Sequence, residues 1–258
     1  MSKRKIEIMD TTLRDGEQTS GVSFSVSEKL TIAKLLLEEL KVDRIEIASA
    51  RVSEGELKAV QKITNWASNN GYLDKVEVLT FVDGGASIKW MEESGAKVQN
   101  LLTKGSLNHL THQLKKTPEQ HFSEIKEVIE LATSKGIQTN VYLEDWSNGM
   151  RNAPEYVFQF LDFLATQKIE RLLLPDTLGV LTPEESYRFI KETRTRYPEA
   201  HIDFHAHNDY DLGVSNAMEG VKAGANGLHL TINGMGERAG NAPMASTIAV
   251  IKDFLDDV

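Results

Sequence analysis

Eight short runs of β-branched and apolar residues alternate with longer amphipathic segments along this chain, and no other feature restricts its fold as much. The strand candidates are Ile6–Met9, Arg44–Ala48, Val76–Val82, Val98–Leu102, Gln138–Leu143, Arg171–Leu174, Ile202–His205 and Gly227–Thr231. Helical periodicity marks Ser27–Leu40, Ser53–Ser68, Pro118–Lys135, Pro183–Tyr197, Leu212–Ala223 and Pro243–Leu255. Ser27 and Thr182 are the expected N-caps, Glu184 and Glu185 suit a first helical turn, and Gly71, Gly95, Gly136 and Gly224 fall where left-handed C-caps belong. Eight β-α units in 258 residues predict an α/β fold, a TIM (β/α)8 barrel that takes up residues 1–258 as a single catalytic domain. An open nucleotide-binding sheet would want Gly-x-Gly-x-x-Gly after its first strand, and the turn there reads DTTLRDGEQ instead.

A barrel of this kind places its active site at the C-terminal ends of the strands. Those ends carry Asp10, Arg14 and Asp15 after the first strand, Ser49 and Arg51 after the second, and Asp83 after the third. Thr103 and Lys104 follow the fourth, Glu144 and Asp145 the fifth, and Asp176 and Thr177 the sixth. His205, His207, Asn208 and Asp209 close the seventh, and Asn233, Glu237, Arg238 and Asn241 the eighth. Residues two apart on a strand share a face, so His205 and His207 can reach one metal ion. The candidate third ligand is Asp15, with Asp10 or Asp209 as alternatives. For Asp10 the favoured role is structural, a carboxylate accepting loop N–H bonds. Such a nitrogen and oxygen set with open positions suits a divalent metal, Zn, Mn or Mg, in catalytic use.

Arg14 is the candidate electrophilic group, because its guanidinium is always charged and forks onto carboxylates and oxyanions. Glu144 is a candidate acid or base. His109, His112, His121, His201 and His229 are expected in solvent or core positions. The GMGERAGNAP segment is expected to act as a loop that approaches ligand closely. The chain has no cysteine, which removes thiolate ligands and a Cys nucleophile. With 38 acidic against 29 basic residues and a net charge of −9, it lacks the basic footprint of a nucleic-acid binder. Neither a signal segment nor an apolar run of membrane-spanning length occurs, so the expectation is a cytoplasmic chain with no membrane span.

The three stretches DTTLRDGEQ, HAHNDYDLGVSNAMEG and NGMGERAGNAP, in this order, resemble the DRE-TIM metallolyase superfamily. Within it the chain is similar to the synthases of 2-isopropylmalate, homocitrate and citramalate, and most to the catalytic barrel of the citramalate synthases. The resemblance implies that Asp15, His205, His207 and Asn241 hold a divalent metal. It further implies that Arg14 polarises the substrate oxygen, that Glu144 is a catalytic acid or base, and that the Thr177 hydroxyl binds the substrate carboxylate. Tyr142, with Leu79 and Leu102, looks like the bulky wall that leaves room for the methyl of pyruvate. The implied reaction is a Claisen condensation of acetyl-CoA with a 2-oxo acid, by a homodimer acting on small molecules. Pyruvate giving (R)-citramalate is favoured over 2-oxoisovalerate giving 2-isopropylmalate. A lyase of the hydroxymethylglutaryl-CoA type would carry a cysteine in the glycine loop, and GMGERAGN has none. A non-catalytic metal-bound barrel is the remaining rival, disfavoured because Arg14 and Glu144 are both present. The linker and regulatory domains that follow the barrel in such synthases are expected to be absent, so weak turnover and no feedback inhibition are expected of this chain alone.

Overall fold

The computed structural model describes residues 4–256 and 258. Eight parallel strands close on themselves in chain order: β1 (Glu7–Asp10), β2 (Arg44–Ser49), β3 (Val76–Phe81), β4 (Val98–Lys104), β5 (Gln138–Glu144), β6 (Arg171–Asp176), β7 (Ile202–Ala206) and β8 (Gly227–Leu230). The seam joins β1 to β8, with Glu7 opposite Gly227 and Asp10 opposite Leu230. This is the TIM barrel that the eightfold alternation predicts. Several strands run one or two residues past their expected C-terminal ends, so Lys104, Glu144 and Asp176 sit on strands rather than in loops.

Alternation along each strand divides outside from inside. Ile45, Ile47, Val78, Leu101, Val141 and Leu172 join the large apolar core, which is built against the helices. The residues between them, Arg44, Glu46, Glu77, Asn100 and Asn140, are also buried, and they hydrogen-bond to one another across the lumen. Above this polar layer a small apolar cluster of Leu79, Tyr142 and Leu173 supports the upper mouth.

The first helix starts at Val26 and is capped by Ser25, not Ser27: the Ser25 hydroxyl accepts the Glu28 N–H while the Glu28 carboxylate accepts the Ser25 N–H. This reciprocal pair needs its glutamate three residues on, which Ser27 lacks. Thr182 caps its helix as expected, and Gly71, Gly95 and Gly224 close theirs with φ of 76°, 77° and 111°. Helices at Ala86–Ser94 and Pro154–Leu164 fill intervals that periodicity left unassigned. Among the described residues no helix is long and apolar enough to cross a membrane.

Candidate active site

The turn after β1 is organised by two acceptors. Thr11 O receives the N–H groups of Arg14, Asp15 and Gly16 at 3.1, 2.8 and 3.1 Å, which coils the chain so that Arg14 and Asp15 emerge together. The Asp10 carboxylate takes the Thr12 N–H and the Thr12 hydroxyl, both at 2.9 Å, and Thr12 Oγ1 in turn accepts Ile232 N–H at 2.9 Å. Asp10 therefore pins the β1 turn to the β8 turn and does not join the histidines.

His205 and His207 project from the end of β7 with their Nε2 atoms 3.2 Å apart. Asp15 Oδ2 lies 3.5 Å from the first and 3.9 Å from the second, and all three residues are buried. One ligand atom from each falls within 4.8 Å of the others. Asn241 arrives by backbone pairing: Asn208 N–H bonds Gly240 O, Ala242 N–H bonds Ala206 O, and His207 and Asn241 form an antiparallel bridge. Its Nδ2 donates to Asp15 Oδ1 and Met235 O, both at 3.0 Å, which leaves a buried Oδ1 with no protein partner.

Burial pushes the Asp15 carboxyl up, but Arg14, His205, His207 and the Asn241 amide outweigh it and hold the group below the usual carboxylate range. Burial, and next the neighbouring His207, keeps His205 far below its ordinary value; burial also lowers His207. An ionised carboxylate, two neutral imidazoles and an orphaned amide oxygen converging on one point are a donor set that fits a divalent cation.

Arg14 is locked in place. Its Nε donates to Glu46 at 2.5 Å and its Nη1 to Asp15 at 3.0 Å, while the other Glu46 oxygen accepts from Asn100 at 2.7 Å. Sequence reasoning did not find Glu46 or Asn100, because nothing local marks a strand residue whose partner lies 32 or 54 positions away. A cavity of about 360 Å³ brings together Arg14, Asp15, His205 and His207 with Leu79, Leu102, Tyr142, Glu144 and Thr177. Thr177 Oγ1 accepts the Asp145 N–H at 2.8 Å, so the hydroxyl proton is left for another acceptor. Asp209 stays out of the centre, ion-paired with Arg238 at 2.8 Å.

One expectation needs correction. His109 is not a bystander: its Nδ1 lies 4.0 Å from Glu144 and its Nε2 3.4 Å from Asp145, and Lys104 pairs with the other Glu144 oxygen. The glycine loop packs tightly on itself and on Asn241, and its Glu237 lines the cavity. A Cβ on Gly236 would lie 2.2 Å from Asn241 Nδ2, and one on Gly240 would lie 2.0 Å from Gly234 O. Its glycines make room for Asn241.

Comparison with known proteins narrows the possibilities. A family model described as HMGL-like matches residues 5–254. The chain belongs to this family. Among its members, a Methanopyrus kandleri protein provisionally named (R)-citramalate synthase is 35% identical over 97% of this chain and 48% of its own length. The 2-isopropylmalate synthase of Pyrococcus furiosus is 35% identical over 97% of this chain and 50% of its own. The chain thus spans about half the length of these curated relatives. The HMG-CoA lyase structure from Bacillus subtilis superposes with a TM-score of 0.80 at 19% identity, over 98% of this chain and 88% of that one, a likeness of fold.

Proposed function

We propose that this chain carries the catalytic centre of a citramalate synthase, joining acetyl-CoA to pyruvate. The observation that carries the proposal is the apolar wall of Leu79, Leu102 and Tyr142 in the same cavity as Arg14, Asp15 and the histidine pair. A divalent cation on Asp15, His205, His207 and Asn241 would supply Lewis-acid polarisation of the 2-oxo acid. Arg14, its Nε and Nη1 committed to Glu46 and Asp15, offers its remaining donors to the oxygen on which negative charge develops. Thr177 donates its hydroxyl to the substrate carboxylate. Glu144 exchanges protons with the reacting groups from the end of β5. In the condensation the acetyl methyl loses a proton and its carbon bonds to the keto carbon. The keto oxygen gains a proton, and water then cleaves the thioester to release CoA.

Calorimetric titration of the metal-loaded protein with pyruvate and then 2-oxoisovalerate tests this, because binding does not need the remainder of a longer synthase. Metal-dependent pyruvate binding that is tighter by roughly tenfold or more is expected, since a pocket discriminates about 10–200-fold per methylene. The reverse order would reassign the barrel to 2-isopropylmalate synthesis. Absence of metal-dependent binding of either acid would reject the condensation altogether.

A further inference from the structure

We infer that His229 and Asp203, inside the barrel and outside the substrate cavity, determine which side chains the cavity admits by holding Tyr142. This deepens the proposed function and rests on it. Tyr142 is 3% exposed and lines the cavity, yet its hydroxyl lies 2.8 Å from Nδ1 of His229, a residue that does not line it. The opposite ring nitrogen of His229 is 3.1 Å from Asp203 Oδ2. A carboxylate oxygen there only accepts, so Nε2 carries a hydrogen, and in the neutral ring Nδ1 presents a lone pair. To that lone pair the Tyr142 hydroxyl donates, and its single proton is turned inward, away from substrate.

Asp203 is itself fixed. Arg44 pairs with its Oδ2, and His201 Nε2 lies 3.0 Å from its Oδ1. Gly227 makes the space, since a Cβ at that position would lie 2.3 Å from Asp203 Oδ1. The ring is braced as well, edge-on to His205 and His229 with centroids 6.1 and 5.5 Å away, and the Arg14 guanidinium is 5.9 Å from its centroid. Swinging the ring out of the cavity would leave a buried His229 nitrogen unpaired, which is strongly disfavoured.

With Leu79 and Leu102 beside it, Tyr142 therefore presents a stationary wall of carbon. That wall suits 2-oxo acids with a short apolar side chain. A hydroxyl- or carboxyl-bearing side chain would meet only carbon on these three residues, and a branched one would have to displace the ring. His229 and Asp203 act through Tyr142 as positioning residues.

The test is calorimetry of metal-loaded protein with pyruvate, 2-oxobutyrate and 2-oxoisovalerate, for the parent chain, Tyr142→Phe and His229→Leu. Tyr142→Phe keeps the ring and removes only its tether, so it remains informative if His229→Leu does not fold. The ratio of 2-oxoisovalerate to pyruvate dissociation constants is expected to fall at least tenfold in each variant, with 2-oxobutyrate intermediate. Ser25→Ala, which removes a helix cap, serves as the control for plain destabilisation and should leave the ratio unmoved. A parent-like ratio in Tyr142→Phe would overturn the inference while leaving the proposed function standing. A parent chain that binds no 2-oxo acid with metal would sink both.

Discussion

Asp10 and Asp15 sit five residues apart on one turn and ionise differently, because only Asp15 has cationic and imidazole neighbours to offset burial. For Asp10 burial dominates the two hydrogen bonds from Thr12 and raises the carboxyl to about 7. The folded state therefore holds a proton that the unfolded chain has released between about pH 4 and pH 7. Stability from the neutral form is complete at the acid end of that window and is lost as the pH rises through the folded value, on the order of 4 kcal/mol in all. Urea unfolding at pH 5 and pH 8 should show the parent losing more stability than Asp10→Asn, which keeps an acceptor for the Thr12 N–H. Parallel losses would mean that Asp10 ionises normally. The structural role expected of Asp10 was legible from its place at a strand end. Its elevated pKa was not, because that depends on a β8 turn more than 200 residues away packing over it.

At the level of elements, the strands were legible and the turns between them only partly so. Period-two spacing was enough to put His205 and His207 on one face, since a strand leaves no other choice. Asn241 had no such local signal: it reaches Asp15 because the segment after β7 pairs antiparallel with Gly240–Ala242, a contact within neither strand pattern. The glycine loop makes that contact sterically possible, which predicts the effect of filling it. Thr19 Oγ1 donates to Gly236 O at 3.1 Å and accepts Gly236 N–H at 2.8 Å, so the backbone there cannot retreat from an added methyl. Gly236→Ala should push Asn241 off Asp15 and weaken Mn²⁺ or Zn²⁺ binding by roughly 10–100-fold, as loss of a ligand-orienting contact does. Thermal unfolding of the apoprotein should move by only a few degrees. Undiminished metal affinity in direct titration would show that Asn241 does not serve the metal centre.

For the whole molecule, the eightfold repeat predicts the barrel's closure, but not what fills it. Arg44, Glu46, Glu77, Asn100, Asn140 and Asp203 interrupt strands that are otherwise apolar, and on one sequence they read as isolated anomalies. In the closed barrel they are neighbours, and Arg44 is their centre: it donates to Glu77 at 2.9 Å and to Glu7 at 3.2 Å, and also pairs with Asp203. Three carboxylates converge on one guanidinium, and two of them, Glu77 and Asp203, are fully buried, where a charge left alone is far costlier than at a surface. Arg44→Met keeps the bulk but leaves buried Glu77 and Asp203 without their cation, and should cost about 3–5 kcal/mol in denaturant unfolding. Arg44→Met combined with Glu77→Met removes one of the two orphaned charges and should lose less than the single variant. If both lost under about 1 kcal/mol, the lumen charges would be solvated and the ion network dispensable. The same layer supports both Asp203 beneath Tyr142 and Glu46 beneath Arg14. A charge defect at the base of the barrel should therefore loosen the mouth as well, and Arg44→Met should weaken pyruvate binding although no atom of Arg44 lines the cavity.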